Sequence, residues 1–185
     1  IDARDELALG LAGIYGSPLA NAALAEADLV VALGVRFNDR VTAARKRFLA
    51  RAKLVHVDCD PSSIGKNVPV HLGIVADIKD LLTTIDSRVR RQSRGDWFKA
   101  LAVSSPAPRT VAGGKVSPLA VLAAVEREAA GEAIVVTDVG QHQLWAARHF
   151  RHLHPRHFLA SGGMGAMGFG IPAAIGAALA RPGRR

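Results

Sequence analysis

The chain has 185 residues, of which 49% are hydrophobic, and it carries a formal net charge of +8. This length and composition suffice for one large or two small domains with a buried core. No apolar run is long enough to cross a membrane, and the mixed-charge beginning IDARDELALG is unlike a signal peptide. The single cysteine, Cys59, excludes an internal disulfide framework. We therefore expect a cytoplasmic protein without a membrane partner, in which Cys59 is a small apolar strand residue.

The positive charge is concentrated near the end of the chain. Asp138 is the last acidic residue, and six arginines follow it. A basic chain can bind nucleic acid, but these arginines neither alternate with aromatic residues nor form a helical stripe. We therefore expect no nucleic-acid partner, and we keep DNA binding as an alternative that a steep salt dependence of affinity would reveal.

The first elements predicted along the chain are a helix and a strand. Ser17 can cap a helix that begins at Pro18 and continues through LANAALAEA. The run LVVALG, Leu29 to Leu33 closed by Gly34, is short, rich in β-branched residues and bounded by a turn residue. This pattern is typical of a buried parallel strand.

The alternation of strand and helix continues to Gly95. Residues 41–52 predict a basic helix, and residues 53–60 predict a second buried strand that ends in carboxylates. VHLGIVAD predicts a third strand, after which Asp77 caps a helix that Gly95 ends. The apolar residues of that helix fall on one face: Ile78, Leu81, Leu82, Ile85 and Val89.

Residues 103–116 have the composition of an interdomain linker. The segment VSSPAPRTVAGGK is rich in Pro, Gly, Ser and Ala and has no hydrophobic period. We therefore predict one domain at 1–102 and a second at 117–185.

The second domain repeats the alternation. Ser117 caps a helix, residues 133–139 predict a buried strand, 141–150 a helix and 156–160 a short strand, and a last helix follows a glycine-rich loop. Both domains are accordingly predicted to be α/β, with parallel sheets flanked by helices, as two partial doubly wound domains joined by the Pro/Gly-rich linker.

The glycine-rich loop before the last helix is the most informative segment. In SGGMGAMGFGIPAAIGAALA, Ser161 to Ala180, a cluster of glycines leads directly into an alanine-rich helix. Such glycines are expected where the backbone takes positive φ or approaches another group closely. A mobile linker would carry polar residues in place of Met164, Met167 and Phe169. The loop therefore predicts a helix N-terminus whose free N–H groups can face an anion.

Ligands of open parallel sheets bind at the carboxyl ends of the strands. Four segments occupy such positions in this sequence: Gly34 to Asn38, Asp58 with Cys59, Asp77, and Gly140 to His142. A run of histidines, by contrast, lacks the spacing of a ligand set, so we expect surface histidines and no metal site there: His149, His152, His154 and His157.

Taken together, the motifs resemble those of the thiamine-diphosphate-dependent acetolactate synthases (acetohydroxyacid synthases), in their large catalytic subunit. The resemblance is carried by GIYGSPLANAAL, DLVVALGVRFNDRVT, AKLVHVDCDPSSIGKN, VGQHQLWAARHF and SGGMGAMGFGIPAAIGA, and it covers nearly the whole chain. The combination of these motifs is far more specific than any single glycine motif.

The resemblance implies that the first domain is the Rossmann-like central domain of the family, lacking its N-terminal part, in which FAD has a structural role. Tyr15 stands where the family commonly has His, and Asn38 where it often has Asp. The implied FAD contacts are Ala12, Gly13, Ile14, Tyr15, Gly34, Val35, Arg36, Phe37, Asn38, Asp58, Cys59, Asp77 and Ile78.

The resemblance likewise implies that the second domain is the start of the thiamine-diphosphate-binding domain. Met167 would be the apolar wedge that bends the thiamine into its reactive shape. The family's Mg²⁺ motif and its general-base Glu are not found in these 185 residues. The resemblance thus implies no catalytic and no metal-binding residue in this chain, which by itself is expected to be inactive. The implied thiamine diphosphate contacts are Gly140, Gln141, His142, Gly165, Ala166 and Met167.

The activity implied by the resemblance is the decarboxylation of pyruvate and the transfer of its two-carbon unit to a second 2-oxo acid. With pyruvate or 2-oxobutyrate as acceptor, the product would be acetolactate or acetohydroxybutyrate, for branched-chain amino acid synthesis. A homo-oligomer and a small regulatory subunit are implied as partners. Two alternatives stay open: another thiamine-diphosphate carboligase or decarboxylase, such as glyoxylate carboligase, and a non-catalytic FAD-binding module.

Overall fold

The computed structural model describes residues 3–43, 48–90, 92–104 and 116–183, with the backbone alone for 102–104. These ranges contain seven helices and five strands. In chain order they are α1 (Pro18–Glu26), β1 (Leu29–Leu33), α2 (Asp39–Thr42), β2 (Lys53–Asp58), β3 (Leu72–Val75), α3 (Ile78–Asp86), α4 (Gly95–Ser104), α5 (Pro118–Ala129), β4 (Val135–Thr137), α6 (Gln141–His149), β5 (Phe158–Ala160) and α7 (Gly170–Ala180).

The chain forms two compact units. One comprises Ala12–Ala107, and the other comprises Ile1–Leu11 together with Pro108–Arg185. Ala3 belongs to the second of these, where its N–H donates to the carbonyl of His152 (3.3 Å). Most of the predicted linker lies outside the described residues, so the domain boundaries stay a prediction.

The first unit is built on a parallel sheet of three strands in the order β1-β2-β3. The helix predicted to precede β1 is confirmed, because Ser17 Oγ accepts from the N–H of Ala20 (3.0 Å) at the start of α1. The predicted cap of α3 is confirmed too: Asp77 Oδ1 accepts from the N–H groups of Lys79 (2.8 Å) and Asp80 (3.2 Å).

The core of this unit lies against one face of the sheet. Ala32 and Leu54 lie on that face and are buried in one cluster with Phe37 and Val68. The other face is covered at the carboxyl end of β2, where Val57 is fully buried.

The amino-terminal end of that second face is open to solvent. Leu29 and Val31 of β1 are 52% and 51% exposed. The prediction of a buried strand is therefore wrong for these two residues. Since every residue of LVVAL is apolar, the composition of the strand does not reveal whether one face or both are covered.

The basic helix predicted at residues 41–52 is wrong for the described residues that follow Thr42, which are 43 and 48–52. Helix α2 spans only Asp39–Thr42, because Asn38 caps it early by accepting from the N–H of Val41 (3.1 Å). Ala43 then adopts φ of 47°, in the left-handed region, which ends the helix. Residues 44–47 lie outside the described ranges.

Three other boundaries differ from the sequence prediction. Strand β2 ends at Asp58, so Cys59 is an exposed residue beyond the strand and not a packed strand residue. Helix α3 ends at Asp86 and does not reach Val89. Gly95 begins a helix that was not predicted, α4, whose apolar residues show no strong one-sided pattern in the sequence.

The second unit contains a two-stranded parallel sheet, in which Val135 pairs with Phe158 and Thr137 pairs with Ala160. Its helices follow the sequence prediction: Ser117 caps α5 by accepting from the N–H of Leu119 (3.3 Å), and α6 and α7 begin close to the expected residues. The prediction of α/β units with parallel sheets is confirmed. Among the helices of the described ranges, none is long and apolar enough to cross a membrane.

Candidate functional site

The parallel register of the first sheet brings three predicted segments to one edge. Leu33 pairs with Val57, and Asp58 pairs with Val75. The N–H of Gly34 donates to the carbonyl of Val57 (2.8 Å), and the N–H of Ala76 donates to the carbonyl of Asp58 (3.2 Å). The residues that follow β1, β2 and β3 therefore lie side by side, as a ligand site of an open sheet requires.

Gly34 lies directly against the start of α3. It adopts φ of 64°, and a Cβ at this position would lie 3.1 Å from Cδ1 of Ile78. The absence of a side chain thus allows the turn after β1 to approach α3 closely. Gly34 and Ile78 were predicted for the same ligand, and the structure brings them into contact.

The rest of the Gly34 to Asn38 segment is divided between surface and core. Arg36 is exposed, and its carbonyl accepts from Nδ2 of Asn67 (2.8 Å). Val35 packs against the buried cluster, and Phe37 is 4% exposed. The Phe37 ring lies 5.1 Å from that of His56, edge to face. Of this segment, the Arg36 side chain is therefore available to a ligand and the Phe37 ring is not, while the N–H of Gly34 and the carbonyl of Arg36 are already hydrogen-bonded.

The carboxylates at the strand ends are already partly engaged. Asp58 is 9% exposed, and its Oδ1 accepts from the N–H of Asp60 (2.9 Å). The side-chain hydrogen bond from Ser62 lowers the pKa of Asp60. Asp77 uses Oδ1 to cap α3. Cys59, between these carboxylates in sequence, is exposed.

The Ala12 to Tyr15 segment lies against α2 and is held by a residue that the sequence analysis missed. The N–H of Gly13 donates to Oδ1 of Asn21 (2.8 Å), and Nδ2 of Asn21 donates to the carbonyl of Gly13 (2.9 Å). The N–H of Ile14 donates to the carbonyl of Arg40 (2.8 Å). Ala12 is half-buried, whereas Ile14 and Tyr15 are exposed. Asn21 could have been noticed in the sequence, because it is the one amide in the otherwise apolar start of LANAALAEA.

In the second unit, the N-terminus of α6 offers unsatisfied backbone donors. Gly140, at its cap position, adopts φ of 148°. A Cβ added to Gly140 would lie 3.2 Å from Nδ1 of His142. No side chain of the described residues caps α6, and its first turn contains no acidic residue. Gln141 and His142 are both exposed. These N–H groups, together with the helix dipole, favour an anion at this position.

The glycine-rich loop is tied to the ends of β4 and β5. Ser161 accepts twice, through its carbonyl from the N–H of Gly165 (2.7 Å) and through Oγ from the N–H of Ala166 (3.0 Å). Asp138 Oδ2 accepts from the N–H of Gly168 (2.8 Å). Between these anchored residues, the Met167 side chain is 91% exposed.

Asp138 occupies one of the N–H groups of the loop before α7, whereas no side chain of the described residues caps α7 itself. The N–H of Gly168, two residues before α7, is already bonded to the Asp138 carboxylate. A second negative group at this position would be repelled. Within the part of the chain that the structure describes, the N-termini of α6 and α7 thus both lack a capping side chain, and only that of α7 has a carboxylate bonded to the loop before it. Asp138 was not predicted as a site residue, although its position after the strand in AIVVTD was a usable signal.

Two histidines of the second unit lie against other polar groups. His154 Nε2 lies 3.2 Å from Oε1 of Glu132, and burial lowers the pKa of His152, whose Nε2 lies 3.2 Å from the carbonyl of Ala146. In the part of the chain that the structure describes, no group of three His, Cys, Asp or Glu side chains is suited to a metal ion.

Two family models match the chain. Residues 1–85 match the central domain of thiamine pyrophosphate enzymes, and residues 138–185 match the C-terminal TPP binding domain of the same enzymes. The second match begins at Asp138 and includes α6, the glycine-rich loop and α7.

Curated relatives agree with these matches. The chain is 44% identical to probable acetolactate synthase 2, chloroplastic, of Oryza sativa subsp. japonica, over 97% of this chain and 29% of that protein. It is 42% identical to acetolactate synthase isozyme 1 large subunit of Escherichia coli (strain K12), over 97% of this chain and 32% of that protein. The chain thus spans about a third or less of the length of these relatives. The resemblance predicted from the motifs is confirmed, and the chain belongs to the thiamine pyrophosphate enzyme family, in which its relatives are acetolactate synthases.

Proposed function

We propose that the protein acts as an acetolactate synthase catalytic subunit. In this role it decarboxylates pyruvate and condenses the two-carbon unit with pyruvate or 2-oxobutyrate. The observation that carries the proposal is the pairing of an uncapped helix N-terminus at α6 with an exposed Met167 on an anchored loop, both inside the match to the TPP binding domain.

Thiamine diphosphate is proposed to lie with its diphosphate at the N-terminus of α6. The N–H groups of the first turn, with the side chains of Gln141 and His142, would bind the negative charge. The backbone of Gly165 and Ala166 and the side chain of Met167 would contact the thiamine. When bound, the cofactor supplies the carbanion chemistry that decarboxylation and carbon–carbon ligation require.

The residues present fit such a molecule on two grounds. The first turn of α6 has neither a capping side chain nor an acidic residue to compete with a diphosphate. Met164 and Met167 are 92% and 91% exposed, which is unusual for large apolar side chains and suits contact with an aromatic ring. Mg²⁺ is proposed to accompany the diphosphate.

Replacing His142 with alanine is expected to weaken the binding of thiamine diphosphate about tenfold, since it removes a hydrogen bond to a charged group. Isothermal titration of the chain with thiamine diphosphate and excess Mg²⁺ measures the dissociation constant. The matched control is His149→Ala, an exposed histidine at the other end of α6, which should change binding less than twofold. Equal losses in both variants, or no saturable binding by the original chain, would contradict the proposal.

FAD is proposed to bind at the carboxyl ends of β1, β2 and β3. Arg36 is exposed there and supplies positive charge for the phosphates, while the close turn at Gly34 lets them approach the backbone. Asp58 Oδ1 is engaged by the N–H of Asp60, so we assign Oδ2 to a ribose hydroxyl. Phe37 would contribute through its backbone, because its ring is buried.

Replacing Asp58 with alanine should weaken FAD binding about tenfold, because a charged acceptor is lost. Quenching of flavin fluorescence on titration measures the affinity. Asp80→Ala, at an exposed position in the first turn of α3, is the control and should leave the affinity within twofold. Failure of the original chain to bind FAD would refute this part of the proposal alone. Binding of FAD without thiamine diphosphate would favour a non-catalytic flavin module.

The proposed partners follow from the same similarity. Pyruvate and 2-oxobutyrate are the proposed substrates. The proposed protein partners are a second copy of the chain, in a homo-oligomer, and a small regulatory subunit. Comparing the rate of turnover of pyruvate with that of glyoxylate distinguishes this assignment from a glyoxylate carboligase.

A further inference from the structure

We propose that Asp138 and Ser161 are positioning residues that fix the backbone on both sides of Met167 and thereby hold its side chain against the thiamine. The role of Met167 in this statement rests on the function proposed above. The anchoring of the backbone rests on hydrogen bonds between described residues.

The hydrogen bonds flank Met167 directly. The residue before it, Ala166, donates its N–H to Ser161 Oγ (3.0 Å). The residue after it, Gly168, donates its N–H to Asp138 Oδ2 (2.8 Å). Both distances are those of well-formed bonds. The peptide groups around Met167 are thus restrained by two side chains, one at the start of the loop and one thirty residues away in sequence.

The sheet sets the positions of both acceptors. Asp138 follows the last residue of β4, Thr137, and Ser161 follows the last residue of β5, Ala160. Thr137 and Ala160 are register partners in the parallel ladder. Asp138 and Ser161 therefore occupy equivalent positions at the carboxyl edge of neighbouring strands, and the loop takes its place from the sheet.

Packing contributes little to holding the loop. A Cβ added at Gly162, Gly165 or Gly168 would meet no atom within 4 Å, and Met167 itself is 91% exposed. Since glycines lose much conformational freedom on ordering, a loop without packing depends on its hydrogen bonds. Removal of either acceptor should consequently increase the mobility of the backbone at Met167.

Asp138 is the stronger of the two anchors. Its carboxylate accepts from Gly168 through Oδ2 and from the N–H of Val139 through Oδ1 (3.1 Å), whereas Ser161 Oγ is a neutral acceptor. Asp138 also lies two residues before Gly140. One carboxylate thus links the loop beside the thiamine to the strand end that leads into α6, where the diphosphate is proposed.

The test uses the two methionines of the chain as probes. Methionine labelled with ¹³C at the methyl group gives one signal each for Met164 and Met167, assigned with Met164→Leu. Asp138→Ala should increase amide hydrogen exchange at Gly168 about tenfold, and Ser161→Ala should increase it at Ala166 about threefold. Both variants should move or broaden the Met167 signal more than that of Met164.

Two further variants distinguish the loss of positioning from a general destabilisation of the unit. Asp138→Asn keeps an acceptor oxygen and should restore most of the exchange protection and the Met167 signal. Glu128→Ala, an exposed charge on α5, should alter neither. On titration, Asp138→Ala should weaken thiamine diphosphate about tenfold and leave inorganic diphosphate within twofold, because the anion contacts at α6 are retained.

The outcomes distinguish this inference from the proposed function. Exchange rates within twofold of the original chain in both alanine variants overturn the anchoring. Faster exchange with unchanged thiamine diphosphate affinity overturns the positioning of Met167 toward the cofactor. If the original chain gives no Met167 response to thiamine diphosphate, the proposed function fails, and the exchange rates still decide whether Asp138 and Ser161 anchor the loop.

Discussion

Replacing Gly13 with alanine is expected to lower the free energy of unfolding of the Ala12–Ala107 unit by about 3 kcal/mol. Gly13 adopts φ of 100°, where side chains are strained, and an added Cβ would lie 2.4 Å from the carbonyl oxygen of Arg40 and 2.8 Å from Cα of Val41. Both are backbone atoms and cannot rotate away. The loop cannot shift freely either, because Gly13 is bonded twice to Asn21 and Ile14 to Arg40.

Urea denaturation measures this loss if the fluorescence of one unit is isolated. The chain has two tryptophans, Trp97 in this unit and Trp145 in the other, so a Trp145→Phe background reports this unit alone. Gly95→Ala is the control, since its Cβ would meet only Ser93 Oγ, at 3.9 Å, and we expect a change within about 0.5 kcal/mol. A loss at Gly13 no larger than that at Gly95 would refute the steric explanation.

Replacing Leu54 with alanine should also destabilise this unit by about 3 kcal/mol. Leu54 is 2% exposed and lies in the buried cluster with Ala32, Phe37 and Val68. Removal of its side chain loses buried apolar surface and leaves a cavity in the cluster, since Leu54 is fixed within strand β2.

The matched variant is Leu29→Ala, on the neighbouring strand and on the opposite face. Leu29 is 52% exposed, so the same deletion should cost less than about 1 kcal/mol. Urea denaturation followed at Trp97 compares the two. Similar losses at both leucines would show that the face carrying Leu29 and Val31 is covered in solution.

The parts of the fold that could be predicted from the sequence depend on neighbouring residues. Ser17, Asp77 and Ser117 each cap a helix by accepting an N–H two or three residues later, so the motif and the contact lie in one short segment. The apolar runs of β1 and β4 were recognised for the same reason. The α2 prediction failed where a local cap competed, because Asn38 begins the helix early and Ala43 ends it.

The parts of the site that were missed depend on residues distant in sequence. Asp138 meets Gly168 across thirty residues, and no spacing rule within a single element describes that contact. Phe37 occupies a motif position but turns into the core beside His56. Whether a motif side chain faces a ligand or the interior depends on tertiary packing, which the motif itself does not contain.

The pairing of Thr137 with Ala160 makes the site sensitive to the length of the chain between α6 and β5. A slip of one residue in this three-residue ladder would displace Ser161 by about 3.3 Å and reverse the direction of its side chain. Its hydroxyl would then be out of reach of Ala166. An insertion or deletion in residues 150–157 must therefore keep Phe158 paired with Val135.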